Sequence, residues 1–566
     1  MMKRVLSIFY NRSSSINEAA FLLGMFTLIS QLLGLVRDRF LATYLGAGSH
    51  LDVYYAAFKI PDFLFVSVAT LAAITVLLPY LSIKYGNGDD VHYKNARQFL
   101  DQVFTVLLIF LVSVSIILFF AMPWLAKLIA PGFSSAELST LTMLSRIMLI
   151  QPIIIGISNM LSSVTQMFKK FLVTALSPVL YNIGIIIGII ALYPIFGITG
   201  LAYGVILGAI LHLLIQLPTL IHVGFTPRLT TKIHVSELKS IVSTSIPRTI
   251  GLSMSSFTAL ILTSVASTLP TGSISIFNLT NNMLNVPIGV IAISYSVASF
   301  PVLVKYFIGN EREKFTEYIL NATRKIIFWS VPITILFIVL RAQIVRVILG
   351  SNAFSWNDTR LAAACLALFV IGLVAQSLVH LFVRGYYAAG NTKKPLLMNF
   401  MGEILTIVLA FIFIWIFRHS YVFSDFFVTI LRLDGVVNIE ILALPLAFSI
   451  GNIFNYFALL YVFKKDFPEA NSYPVFKTTL QTITASICLG VVTYGVLNVL
   501  PWFINQDTFW GIFSQGLIAG ISGIVVFFIV MTLFNNQEMM EFVRTFKRKF
   551  WKANVVQDMS GTGMEI

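Results

Sequence analysis

The chain has 566 residues, 57% of them hydrophobic and only 11% charged, with a mean hydropathy of +0.88, a surface no soluble domain could solvate. Long continuous apolar runs, rather than period-two alternation, exclude a membrane β-barrel and predict an all-α integral membrane protein. The net charge of +14 falls on short loops and on the tail after Met539, so anionic lipid headgroups are the expected partner, and nucleic acid is not.

At roughly 20 apolar residues per crossing the chain has room for about 14 transmembrane helices. Taken in order, they are predicted near 20–45, 52–83, 98–122, 138–166, 172–194, 198–222, 244–268, 273–305, 317–340, 358–384, 395–417, 438–462, 475–499 and 509–534. Residues 1–19 read as a cytoplasmic N-terminal segment, since the basic "MMKRVLSIFY" runs into the first span without a small-residue cleavage pattern. The sequence then divides into an N-lobe of six spans (20–222), a cytoplasmic linker (223–243), a C-lobe of six spans (244–462), two further helices (463–534) and a basic cytoplasmic tail (535–566). Alternate loops carry the lysines, among them Lys84, Lys169, Lys170, Lys393, Lys394, Lys464 and Lys465. Both termini and these loops are therefore expected in the cytoplasm. The intervening loops, such as "GAGSH", "YPIFG" and "LPTG", are short and nearly uncharged, and Arg341, Arg346, Arg418 and Arg432 are the exceptions.

The two lobes read as a parallel repeat. "LLPYLSIKYGN" is placed like "SFPVLVKYFIGN", and "ALSPVLYNIG" like "TKKPLLMNFMG", which sets Asn182 against Asn399. Two bundles of six helices are what an alternating-access transporter requires. Cys365 and Cys488 lie in separate apolar runs, so no disulfide framework or CxxC metal site is indicated. HExxH, GxSxG, P-loop and Rossmann fingerprints are all absent, so the chain is expected to be no enzyme and to need no cofactor. Its energy is expected from an ion gradient, Na⁺ or H⁺, or from the membrane potential.

Six charges interrupt the first two spans: Arg37, Asp38, Arg39, Asp52, Lys59 and Asp62. Arg37 and Lys59 each lie about 13 Å from the "GAGSH" turn, and Arg146 reaches a similar depth in the fourth span. Charges at that depth must face protein or water. Because the six sum to zero, a self-neutralising structural network is one reading. With Arg146 the balance turns positive, and an Arg fork beside a Lys suits a phosphate or diphosphate. Asn399 and Glu403, at i and i+4 inside a span, supply an amide and a carboxylate for a coupling Na⁺ or proton, or else a protonated core acid.

"LGLVRDRFLATYLGAGSHLDVYYAAFKIPDFL" resembles the N-terminal signature of the MurJ-type lipid II flippases, within the wider MOP superfamily that includes MATE exporters. "QMFKKFLVTALSPVLYN" and "RGYYAAGNTKKP" resemble the lobe motifs of the same family. The resemblance implies that Arg37, Asp38, Asp52 and Lys59 line a cavity for a lipid-linked diphosphate, and that the last two helices wall a groove for its polyprenyl tail. It also likens Asn399/Glu403 to the cation site of some members. The implied function is translocation of a polyprenyl-diphosphate-linked peptidoglycan precursor, lipid II, to the outer leaflet of the bacterial inner membrane, with cell-wall synthesis enzymes as further partners. The chain departs from the family pattern at Gln31, Phe65, Val66, Thr70, Asn281, Asn282 and Asn285, where arginines or acids are usual. Those departures keep two alternatives in view, a flippase for another lipid-linked saccharide of the O-antigen type and a MATE-like drug antiporter.

Overall fold

A computed structural model describes residues 16–69, 74–86, 90–468 and 473–551; the expected N-terminal segment lies mostly outside the described residues, as does the tail from 552. No strand occurs among the described residues, and the fold is all-α. Among the described residues, eleven helices are long and apolar enough to cross a membrane, or twelve if the bent pair Trp356–Ile371 and Leu373–Ala388 is one span. Length and apolarity therefore do not establish the expected count of 14. The two remaining expected spans correspond to the charge-bearing α1 (Ile16–Leu45) and to a segmented stretch, α2 (Ser49–Ala57), α3 (Lys59–Leu64) and α4 (Ile74–Tyr85).

The N-terminal half continues with α5 (Asp90–Ile129), α6 (Ser135–Met148), α7 (Ile150–Met167), α8 (Phe171–Ile187) and α9 (Ile198–Leu214). The C-terminal half opens with α10 (Val235–Ser267), which starts well ahead of the predicted seventh span. It continues with α11 (Ser273–Pro287), α12 (Ser294–Ile308), α13 (Arg312–Leu349), α14 (Trp356–Ile371), α15 (Leu373–Ala388), α16 (Lys393–His419), the short α17 (Tyr421–Leu431) and α18 (Ala443–Asp466). The second and eighth spans share a device that a repeat would place there. Each carries a proline, Pro61 or Pro287, followed by a π-helical turn, Phe65–Ala69 or Ile288–Ile293. A proline removes one backbone donor, and the wider turn absorbs the mismatch.

The predicted fourth and tenth spans are likewise not single straight rods. The helix restarts at Ile150 in the first case, and α14 and α15 meet at 43° at Gly372 in the second. Both begin with a reciprocal cap, Ser134 with Glu137 and Ser355 with Asp358, which satisfies otherwise orphaned N–H groups.

The halves meet closely at their lysine-poor end. Gly132 N donates to Ser267 Oγ at 3.2 Å, Ser264 Oγ to the Leu128 carbonyl at 3.0 Å, and Ser351 Oγ to the Ala42 carbonyl at 3.1 Å. Gly46 sits there at φ +64°, where an added Cβ would fall 2.2 Å from the Ala353 carbonyl oxygen, so only glycine permits this approach.

The last two spans, α19 (Tyr473–Val499) and α20 (Phe509–Leu533), pack on each other and on α13. Part of the sequence expected as a tail is an ordered helix, α21 (Gln537–Trp551). It is docked by a buried ion pair, Arg324 with Glu538 at 3.0 Å, by Lys325 with Glu541 at 3.0 Å, and by Phe542 stacked 5.7 Å from Phe528. The burial that Glu538 accepts pushes its carboxyl up, and Arg324 opposes that shift.

Candidate functional site

The six charges of the first two spans do not form one network. Arg37 and Asp38 make the only ion pair among them: Arg37 Nη2 and Nε both donate to Asp38 Oδ1, at 2.8 and 3.0 Å. Arg39, the next residue on α1, turns away, donates to the Val347 carbonyl and lies 4.8 Å from the centre of the Phe509 ring. Lys59 Nζ donates to Asn278 Oδ1 at 2.9 Å rather than to a carboxylate.

What gathers these charges is one face of α11. Asp52 receives the backbone N–H groups of Gly272 and Ser275, each at 2.7 Å, and the Ser275 hydroxyl at 2.5 Å. Lys59 meets Asn278, and Asp38 Oδ2 accepts from Asn282 Nδ2 at 2.9 Å. Positions 275, 278 and 282 stand at i, i+3 and i+7, a single helical stripe. Three charges of the N-terminal half are therefore bound by successive turns of one helix of the C-terminal half. The sequence signal was available, since Ser275, Asn278, Asn282 and Asn285 are polar residues at helical spacing in an apolar span, but the last two stood out only as replacements of charged residues.

A cavity of about 200 Å³ opens beside this stripe, lined by Ser30, Gln31, Arg37, Asp38, Asn182, Asn282 and Asn285 among others. Asn182, on α8, accepts from Arg37 Nη1 at 3.3 Å and donates to Ser30 Oγ at 3.1 Å. Gln31 Oε1 is buried without a hydrogen-bond partner. Its polar lining is one guanidinium, one carboxylate that neutralises it, and a set of amides and a hydroxyl, with Leu35 and Val286 among the apolar remainder. Such a wall binds through hydrogen bonds, with a single cation available to an anion that displaces Asp38.

The expected members of the site separate accordingly. Arg37 and Asp38 line the cavity, and Lys59 stands further along the stripe. Asp52 is buried as a cap on the N-terminus of α11, where Gly272, at φ +93°, presses an absent Cβ's position to 2.5 Å from the Ala47 carbonyl oxygen. Arg146 does not join the others: its Nε donates to the Phe119 carbonyl at 2.9 Å and its guanidinium lies 4.6 Å from the Phe119 ring centre. Helical depth could not give its azimuth, which α5 takes up. Asn399 and Glu403 also diverge. Asn399 Oδ1 accepts from Asn455 on α18 at 3.0 Å, whereas Glu403 accepts from Ser255 on α10 at 2.8 Å. A larger cavity of about 570 Å³, near the start of α13 and under α21, is lined by Glu317, Arg324 and Gln537 and holds none of the expected residues.

A family model described as "Lipid II flippase MurJ" matches residues 41–513. The chain belongs to the MurJ family. Among its relatives, the probable lipid II flippases MurJ of Buchnera aphidicola (strain APS) and Vibrio cholerae are each 27% identical, over 70% and 72% of this chain and 78% and 79% of theirs. The lipid II flippase MurJ of Burkholderia cenocepacia is 24% identical over 70% of this chain and 78% of its own. The fold is that of a solved lipid II flippase MurJ in an inward closed conformation, with a TM-score of 0.73 and 24% identity over 93% of this chain and all of that one. It is shared more distantly with an inward-facing MATE-family multidrug transporter, at a TM-score of 0.63 and 15% identity over 78% and 96%. Within the MurJ fold, the structure gives Asn282 a partner of its own in Asp38.

Asp52 tests the division between cap and cargo ligand. Asp52→Asn removes the charge at the helix N-terminus and one of its acceptors, costing about 1–2 kcal/mol. The thermal unfolding midpoint in detergent is expected to fall, with Ser275→Ala lowering it less. An unchanged midpoint together with lost transport would instead give Asp52 to the cargo.

Proposed function

We propose that this protein flips lipid II, the polyprenyl-diphosphate-linked peptidoglycan precursor, from the inner to the outer leaflet of the bacterial cytoplasmic membrane by alternating access of its two halves. The observation that carries this reading is the Arg37/Asp38 pair, held at the junction of α1, α8 and α11 and lining a cavity in a MurJ-family chain. Arg37 is the group that meets the diphosphate: the incoming phosphate takes over the guanidinium fork from Asp38. Asn182, Asn282, Asn285 and Gln31 offer hydrogen bonds to the hydroxyl and amide groups of the saccharide-peptide head. The α13/α19/α20 assembly offers an apolar surface to the polyprenyl tail. No feature of the cavity favours an O-antigen lipid or a small drug cation over this cargo.

Arg37→Ala is expected to abolish rescue of a bacterium depleted of its own flippase while protein abundance stays normal. Arg37→Lys should rescue in part, because an ammonium lacks the bidentate fork. Reduced abundance with normal transport by the remaining protein would make the pair purely structural.

Orientation follows from the loops: the lysine-bearing end and both termini are cytoplasmic. In a variant with Cys365 and Cys488 replaced, a cysteine at the exposed Ser135 should react with an impermeant thiol reagent added to intact cells. One at the exposed Glu313 should react only after permeabilisation. The reverse pattern would invert the topology.

The diphosphate carries about two negative charges, and leaving a negative-inside cell releases about 2.3 kcal/mol per charge per 100 mV. Glu403, bonded to Ser255 on α10, is the site at which Na⁺ or H⁺ would bias the return of the empty carrier, with Asn399 held beside α18. In proteoliposomes under an imposed K⁺ diffusion potential, Glu403→Gln should slow turnover more than it weakens cargo binding. Unchanged turnover would remove the coupling role.

A further inference from the structure

The predicted spans stop at 417 and resume at 438, yet the stretch between them is not simply a loop. Its first part, "YVFSDFFVTIL", is the eleven-residue helix α17, separated from the end of α16 by Ser420 alone. Ser420 caps it, its Oγ accepting from the Phe423 N–H at 3.4 Å, and Ser424 Oγ donates to the Phe417 carbonyl at 2.8 Å. At 1.5 Å per residue α17 is about 16 Å long, roughly half of what the hydrocarbon core demands. It cannot cross.

Its height follows from α16. Arg418 lies about 36 Å along that helix from Lys394, close to the full distance between the two headgroup layers of a bilayer. With the lysine-bearing end of α16 at one surface, α17 begins at the other. The ring of Phe423 lies 6.2 Å from Phe413 and 5.0 Å from Phe417, and Phe427, one turn later, still meets Phe417 at 5.4 Å. The helix thus crosses the end of α16. Its far end is held at a similar height. Arg360, in the second turn of α14, binds the Arg432 carbonyl, and Arg432 Nη2 donates at 3.1 Å to the hydroxyl of Tyr494, about 8 Å from the end of α19.

Around α17 the residues divide into three faces. Phe423, Phe427, Val428 and Leu431 pack on the core. Val422, Phe426 and Ile430, at i, i+4 and i+8, are exposed and apolar, whereas Asp425 and Thr429 are exposed and polar. At 3.6 residues per turn these stripes follow one another round the helix without mixing. A helix between protein and water needs one apolar face. A second apolar face beside a polar one fits a helix lying in the membrane interface, with protein on one side, hydrocarbon below and water above.

The apolar stripe is also of the kind that lipid covers. Phe411 and Trp415, on the turns of α16 that lead up to it, are exposed as well, and Trp415 stacks on His419 at 5.0 Å. On a helix long enough to span, such residues face acyl chains, with Trp and Tyr at the headgroup level. Membrane helices approach one another through small residues. Val422, Phe426 and Ile430 are bulky, so a second transmembrane helix would be held off.

We propose that α17 is an interfacial helix whose partner is the bilayer itself: Val422, Phe426 and Ile430 enter the acyl chains just below the headgroups, and Asp425 and Thr429 face water. By the orientation proposed above the leaflet is the outer one, but the lipid contact depends neither on that orientation nor on the cargo. Tied to α16 by Ser424, to α14 by Arg360 and to α19 by Arg432, the helix holds this edge of the C-terminal half at a fixed depth.

The test uses the purified full-length protein with Cys365 and Cys488 replaced, reconstituted in phosphatidylcholine and phosphatidylglycerol vesicles. Spin labels are placed singly by Val422→Cys, Phe426→Cys, Ile430→Cys, Asp425→Cys and Thr429→Cys, and their accessibility to oxygen and to a water-soluble nickel chelate is read by power saturation. The first three should show a severalfold higher ratio of oxygen to nickel accessibility than the last two, at a depth of about 5–10 Å below the phosphates. Nickel accessibility on both faces would place α17 in water and overturn the proposal. Protection of Val422, Phe426 and Ile430 from both reagents would show that protein, a second copy of this chain, covers the stripe instead of lipid, and would overturn it equally. Should a cysteine variant lower the unfolding midpoint, Phe426→Trp, which keeps the apolar bulk, decides against Thr429→Trp. Brominated phosphatidylcholine should quench the added fluorescence of Phe426→Trp more strongly, and equal quenching of the two rejects the interfacial placement.

Discussion

An ionised side chain below the headgroups costs several kcal/mol unless protein or water receives it, and this constraint shapes the centre of the molecule. The first two spans bring in six charges, and only Arg37 and Asp38 neutralise each other. The others are satisfied mainly by polar groups of neutral residues. Asp52 takes two backbone N–H groups and a hydroxyl, and Lys59 takes an amide oxygen. Hydrogen bonds to a charged group are the stronger kind, so a neutral stripe on α11 can host charges without adding any. Because the charges and the stripe lie on opposite halves, the same bonds that make burial tolerable also hold the halves together.

That arrangement has a functional corollary. A transporter that alternates must break and remake whatever joins its halves, and here the joints of Asp38 and Lys59 are single bonds to neutral amides rather than buried ion pairs. Removing one partner of a buried ion pair strands a charge; parting from an amide strands less. Asp38 sits at the crossing of both demands, bound to Arg37 on its own helix and to Asn282 across the interface. An anion that claims Arg37 also changes what Asp38 offers Asn282. The amides of Asn278 and Asn282 in the eighth span are thereby matched by charges that need them.

How much was legible in advance varied with the kind of physics involved. The all-α membrane class and the approximate span positions follow from hydropathy, which each segment carries by itself. The charges of α1 were recognisable as a site because hydrocarbon makes them expensive wherever they point. The resemblance carried by "LGLVRDRF" led to Arg37 and Asp38, which do line the cavity. Arg146 shows the limit: counting residues from the turn fixes height along a helix, and nothing in that count fixes which neighbour the side chain meets. Asn399 and Glu403 share a helix face by spacing, yet Asn455 and Ser255 draw them to different helices.

The sequence by itself thus determined what is local or additive: membrane insertion, helix caps such as Ser134 with Glu137, the prolines that loosen the second and eighth spans, and the presence of charges that must be received. Tertiary structure alone decided which groups receive them. Asp52 became a cap for a helix more than two hundred residues away, Gln31, Asn282 and Asn285 became part of the wall of a cavity, and Arg432 came to donate to Tyr494. The reason is that hydrogen bonds and ion contacts are short-ranged and directional, so their partners depend on how helices rotate and cross. Packing fixes that rotation, and no segment contains it.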